Sequence, residues 1–197
     1  MSGQTIASSE LVLGGQKSGK SRRAEMLARQ WLDADAGHKA VLIATAQPWD
    51  EEMRQRIARH QQDRAERVPG MCTHEAPLHL AEAVHAHSDA DTLVVVDCLT
   101  LWLTNLRMPP EAEGAPQPGH DGDAEAREIA ALLRAIASAK GPVVLVGNEI
   151  GLGVIPMGAQ VRAFVDALGR LNQDVAQVCR RVTLMAAGLP LTLKDTQ

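Results

Sequence analysis

Aromatic side chains are almost missing from this chain, with no Tyr, one Phe and three Trp, 2% of the 197 residues. Its core must therefore be aliphatic, and it has no row of stacking platforms for unpaired bases. Positive charge is not in excess either. The net charge is −4, which argues against a nucleic-acid partner. Three cysteines, Cys72, Cys98 and Cys179, give neither a disulfide framework nor a Cys-x-x-Cys metal pair. They read as reduced thiols of a cytoplasmic protein. No apolar run approaches the roughly 20 residues that span a bilayer. Met1 to Glu10 is polar and has no signal-peptide h-region. With no internal repeat and no linker, the chain reads as one domain, 1–197, long enough for a sizeable core.

What is present is an apolar run, Leu11-Val12-Leu13, followed by Gly14-Gly15-Gln16-Lys17-Ser18-Gly19-Lys20-Ser21. This fits Gly, four residues, Gly-Lys-Ser/Thr. Glycines let the backbone curl so that successive N–H groups point into one cavity, and the following helix adds its positive end. In this pattern Lys20 reaches the β- and γ-phosphates of a nucleoside triphosphate, and the Ser21 hydroxyl ligates Mg²⁺.

The rest alternates between helical and buried-strand patterns. Helices are expected over Lys20 to about Ala34, Glu51 to Ala65, Leu78 to His87, Ala124 to Lys140 and Gln160 to about Arg180. Apolar runs at Lys39–Thr45, Thr92–Asp97 and Pro142–Gly147 read as strands buried on both faces. Met71–Glu75, Val182–Ala186 and Leu189–Leu193 read as shorter strands. Cys98 to Leu106 reads as a partly buried helix or a subunit contact, and Met108 to Asp123 as an exposed loop. The expected fold is α/β, a largely parallel sheet flanked by helices.

Three features stand out on this frame. Asp97 ends an apolar strand, the position of a Mg²⁺-holding carboxylate beside a phosphate loop, or of a cap for the next helix. The helix from Glu51 is polar for its length, with Arg54, Arg56, Arg59, His60, Gln61, Gln62, Asp63 and Arg64. It is either a solvated face or a ligand-facing one, because it directly follows a buried strand. His74, His79, His85 and His87 have no downstream Cys/His partners at metal-ligand spacing, and read as surface histidines.

Six motifs occur in order: GGQKSGKS, IATAQPWDEEMRQRIARHQQDR, VVDCLTLWLTNL, VGNEIGLGVIP, GRLNQ and GLPLTLK. Over about Leu11 to Lys194 they resemble the bifunctional adenosylcobinamide kinase and adenosylcobinamide-phosphate guanylyltransferase family of cobalamin biosynthesis. The resemblance implies a fold similar to RecA-like phosphate-loop NTPases and a homotrimer. It implies phosphorylation of adenosylcobinamide with ATP or GTP, then transfer of GMP from GTP to the new phosphate through a guanylyl-histidine. The histidine matching that intermediate is His60. By the same match Gly14, Gly15, Gln16, Lys17, Ser18, Gly19, Lys20 and Ser21 hold the triphosphate, and Ala44, Thr45 and Ala46 line the nucleotide. Gln61, Gln62, Asp63 and Arg64 contact GTP beside the nucleophile, and Glu75 and Asp97 complete the site. Lys17 replaces the family's usual Arg, and Met71 its usual Trp. The stretch between His60 and Glu75 is a few residues longer than usual. Two rivals remain: a single-activity small-molecule kinase, and a nucleotide-binding module that changes shape without making product.

Overall fold

The structure is a computed structural model describing residues 5–108, 122–154 and 156–196. Seven strands form one sheet in the order β3-β2-β4-β5-β1-β6-β7. They are β1 (Ser9–Gly14), β2 (Lys39–Ala44), β3 (Cys72–Glu75), β4 (Thr92–Asp97), β5 (Val143–Val146), β6 (Arg181–Ala186) and β7 (Leu189–Asp195). All neighbours are parallel except β6 and β7, which form an antiparallel hairpin. The helices are α1 (Lys20–Ala34), α2 (Glu51–Arg67), α3 (Leu80–Ala86), α4 (Leu99–Arg107), α5 (Gly122–Ala137) and α6 (Ala159–Val178).

The central strands are buried on both faces, which is why they read as unbroken apolar runs. Side chains alternate across the pleat and sort into two cores. Leu11, Val94, Val96, Val143 and Leu145 pack against α3, α4, α5 and α6. Val12, Leu93, Val95, Val144 and Val146 pack against Ala24, Leu27 and Ala28 of α1. Trp102 is fully buried, its indole N–H donating to the Leu78 carbonyl at 2.8 Å. The apolar Cys98–Leu106 stretch is thus core-facing.

Boundaries shift by one to three residues from those expected. α2 runs on to Arg67, closed by the Val68 N–H on the Arg64 carbonyl. α3 begins at Leu80, because the chain at Leu78 is engaged by Trp102. α5 stops at Ala137. Most of the expected loop between Met108 and Asp123, residues 109–121, lies outside the described residues.

Candidate active site at the carboxyl edge of the sheet

The phosphate loop connects β1 to α1. Gly14 cannot carry a side chain: a Cβ there would sit 2.5 Å from the Met185 carbonyl oxygen and 2.6 Å from Ser18 Oγ. Gly19 (φ 101°) turns the chain into α1, with the β6–β7 turn so close that an added Cβ would lie 3.2 Å from Gly188 Cα. The Gly188 N–H donates to the Ser18 carbonyl at 3.0 Å, so the hairpin braces the loop from outside. Lys17 takes a left-handed conformation (φ 56°). Gly15, Gln16 and Lys17 are exposed, and Ser18 Oγ is buried with no hydrogen-bond partner.

Lys20 folds back over the loop, its Nζ donating to the Gly15 carbonyl at 2.6 Å. Burial holds its ammonium below the ordinary lysine value. Cys98 and the Asp97 carboxylate oppose that shift, and the Arg56 guanidinium of α2 adds to it. Asp97 and the Arg56 guanidinium of α2 thus both lie within electrostatic reach of the loop cation. An arriving triphosphate supplies the anionic charge that this buried ammonium lacks.

Strand register assembles the other edge residues. Ala44 is paired with Glu75 on one side and with Asp97 on the other, so the three lie in one row at the carboxyl ends of β3, β2 and β4. Thr45 is fully buried. Its hydroxyl donates to the Cys98 carbonyl at 2.7 Å and accepts from the Cys98 N–H at 2.9 Å. That side chain is committed to locking the end of β2 against the end of β4. Ala44 and Ala46 flank it, half-buried.

α2 leaves this edge through the Asp50 cap, whose carboxylate accepts from the Met53 N–H at 2.7 Å. His60 lies four residues beyond Arg56, on the same helix face one turn on, and is exposed. Gln61 and Gln62 are exposed beside it. Asp63 is engaged by Arg67 at 3.1 Å. Arg64 is buried, its guanidinium donating to the Thr73 hydroxyl at 3.3 Å, and so anchors α2 to β3. Arg67 makes a second anchor, on the buried Glu25 carboxylate of α1 at 2.8 Å.

Sequence reasoning missed the polar pegs that shape this edge. Asn105 Nδ2 donates to the carbonyls of Thr45 (2.8 Å) and Pro77 (2.9 Å). Asn172 Nδ2 donates to the Asn148 carbonyl at 3.0 Å, and the Glu149 N–H donates to Gly14 O at 3.1 Å. The loop after β5 is thereby drawn onto the phosphate loop. The available signal was a lone amide within an apolar helix, as Asn105 is in CLTLWLTNL. Among the described residues no group of three or more His, Cys, Asp and Glu side chains could hold a metal ion. The four histidines do not converge, although His74 and His87 meet edge to face at 4.8 Å.

The geometry so far is that of a phosphate-loop turn and, leaving the same sheet edge, a polar helix with an exposed imidazole. The family model for cobinamide kinase / cobinamide phosphate guanyltransferase matches residues 10–193. A bifunctional adenosylcobalamin biosynthesis protein CobP from Pseudomonas aeruginosa is 44% identical, over 94% of this chain and 96% of that protein. A bifunctional adenosylcobalamin biosynthesis protein CobU from Escherichia coli is 35% identical, over 93% and 98%. Among solved structures, the flagellar accessory protein FlaH from Methanocaldococcus jannaschii shares the fold. Its TM-score is 0.53 at 12% identity, covering 99% of this chain and 82% of that one. Because the sequence match runs from the start of β1 into β7 and takes in the whole carboxyl edge, the chain belongs to the cobinamide kinase / cobinamide phosphate guanyltransferase family.

Proposed function

We propose that both reactions of the family run on the one phosphate loop of this chain, with His60 as the nucleophile of the second. The chain is an enzyme of cobalamin biosynthesis, a cobinamide kinase and cobinamide phosphate guanylyltransferase. In the first reaction the side-chain hydroxyl of adenosylcobinamide attacks Pγ of ATP or GTP. The bond from Pγ to its bridging oxygen breaks, the nucleoside diphosphate leaves and the hydroxyl proton is lost. In the second, an imidazole nitrogen of His60 attacks Pα of GTP and pyrophosphate leaves. A phosphate oxygen of adenosylcobinamide phosphate then attacks Pα. The P–N bond breaks, giving adenosylcobinamide-GDP and free imidazole.

The observation that carries this reading is the position of α2. Arg56 reaches the field of Lys20, and His60 follows one turn later on the same face. A neutral imidazole is a competent nucleophile near neutral pH, and its phosphoramidate is reactive enough to pass the nucleotide on. Lys20 and the loop N–H groups stabilise charge on the phosphate oxygens. The donor set suits Mg²⁺, which takes one or two protein oxygens and otherwise water and phosphate. Ser21, half-buried in the first turn of α1, and Asp97, half-buried beside Lys20, would hold it. The ion would neutralise phosphate charge. Gln61, Gln62, Asp63, Arg64, Glu75, Ala44, Thr45 and Ala46 complete the proposed nucleotide surroundings, with Arg64 and Thr45 acting through the backbone they fix.

Assembly into a homotrimer belongs to the same proposal. It is supported by the exposed leucines of edge strand β7 (Leu189, Leu191 and Leu193) and by exposed Leu152, Val154 and Met157 near the start of α6. Residence in the cytoplasm fits three unpaired thiols. No helix among the described residues is long and apolar enough to cross a membrane.

The test is incubation with Mg²⁺ and GTP labelled at the α-phosphate, followed by denaturation. Label that is acid-labile, alkali-stable and absent from His60→Ala is the expected result. A folded, GTP-binding protein that retains no label would refute the histidine route and leave a simple kinase or a nucleotide-binding module.

A further inference from the structure

On the face of the sheet that carries α1, the helix packs mainly on β1, β2, β4 and β5 and leaves the β6–β7 hairpin at its flank. A cavity of about 1010 Å³ opens between them. It is continuous with the phosphate loop, because Lys17 and Gly19 line its upper end. Arg22 and Met26 of α1 form one wall, and Met185 and Pro190 of the hairpin the other. Met26 is 54% exposed in mid-helix, an apolar side chain facing a groove instead of a core. The lining pairs flexible thioethers with guanidinium groups. Thioethers pack against aromatic edges and guanidinium planes stack on aromatic faces, a combination that suits a purine base.

Topology says which part of a nucleotide this groove takes. β1 lies between β5 and β6. Asp97 on β4, and α2 beyond it, lie on the β5 side of the loop, and the groove lies on the β6 side. A triphosphate lying along the loop has its two reactive ends, Pγ and Pα, pointing opposite ways. Phosphoryl transfer needs Pγ at the Asp97 side, which sends the nucleoside out over β6. Attack by His60 needs Pα at the α2 side, which sends the nucleoside the other way. We infer that the groove between α1 and the β6–β7 hairpin is the nucleoside site of the phosphoryl donor. The guanosine destined for transfer binds on the α2 side, so one loop receives triphosphates in two opposite orientations. This inference rests on the two-reaction reading above.

The experiment uses the full chain and 8-azido-ATP with Mg²⁺. Photolysis should label the tryptic peptide Ala24–Arg29 of α1, with protection by ATP. In parallel, Met26→Trp fills the groove. It should raise KM for ATP in adenosylcobinamide phosphorylation at least about tenfold more than it raises KM for GTP in His60 labelling. If Met26→Trp does not fold, Arg22→Ala replaces it with the same expected split. Cross-linking confined to α2 or β3 would overturn the inference, as would equal effects of the substitution on both reactions or no effect on either. A wild-type protein that makes neither product refutes the two-reaction reading instead. The cross-link does not depend on turnover, so it still decides the groove.

Discussion

α1 and α2 both start at the carboxyl edge of the sheet, and their fates are opposite. α1 buries Ala24, Leu27 and Ala28 in the core, together with its first residue Lys20 and the carboxylate of Glu25. α2 is longer, yet Arg64 is its one buried residue. It is attached at its far end, through Arg64 to Thr73 and Arg67 to Glu25, while nearer its start Arg56 lies within electrostatic reach of Lys20 and His60 is exposed one turn on. One helix is scaffold for the phosphates. The other presents a mostly exposed polar surface and contributes little to the buried core. That division lets α2 keep a row of polar residues that a core helix could not afford.

The largest expected effect is at the loop proposed to serve both reactions. Lys20→Ala should lower phosphorylation of adenosylcobinamide and labelling of His60 alike, by about 10²–10³-fold, the usual cost of losing a positioned transition-state donor. Rates measured on the folded variant decide it. A drop in only one reaction would mean that the two do not share the loop. Next comes stability. Leu27→Ala on α1 empties a packed site and should cost about 2–5 kcal/mol in urea unfolding. Ile57→Ala on α2 is half-buried and should cost about 1 kcal/mol or less. Equal costs would break the contrast between scaffold and presented helix.

Thiol chemistry sharpens the same contrast at the level of strands. Cys72 sits exposed on edge strand β3 beside α2, whereas Cys98 and Cys179 are buried. Burial, first of all, raises the Cys98 thiol to about 11 and the Cys179 thiol to about 12. A raised pKa keeps the thiol protonated up to that pH. At pH 8 the reactive thiolate of Cys98 is therefore only about one part in a thousand, before steric shielding is counted. An aromatic disulfide reagent should titrate one thiol per native chain quickly, and three after denaturation. Two fast thiols in the native protein would show that the β4 end of the site opens.

Much of this molecule could be read from residue order because its signals are local. The Gly14–Ser21 loop and the apolar runs ending at Asp97 and Val146 declare themselves by type and spacing, and the sheet follows from their alternation with helices. His60 is singled out only by the motif around it, since an exposed helix imidazole carries no signal of its own. What stayed hidden depends on contacts far apart in sequence. Thr45 looked like a nucleotide neighbour, and its hydroxyl is tied to the Cys98 backbone 53 residues away. Arg64 read as a GTP contact, and its guanidinium sits against Thr73. Glu10 gave no hint at all. Its buried carboxylate accepts from Arg23 and from the Thr183 hydroxyl, both at 2.8 Å, joining β1, α1 and β6 around the loop. Polar residues committed to long-range partners have no period, so pattern reading passes over them.

The smallest effect tests how α2 is fastened. Arg67 donates to the Glu25 carboxylate at 2.8 Å, and this bond raises the guanidinium above its ordinary value against the opposing effect of burial. Glu25 is buried while Arg67 is 41% exposed, so solvent screens much of the pair. Arg67→Ala should therefore cost only about 1 kcal/mol, near the upper end for exposed pairs, despite leaving a carboxylate partly uncompensated. A double-mutant cycle with Glu25→Gln isolates the coupling from the packing of the Arg67 stem. The coupling should shrink between 0.1 and 1 M salt. The kinetic readout separates tether from scaffold. On the proposed mechanism, loosening the far end of α2 moves His60 relative to Pα, so the rate of His60 labelling should fall several-fold while KM for GTP barely changes. If stability falls by several kcal/mol and labelling follows only in proportion to the unfolded fraction, α2 is part of the scaffold after all.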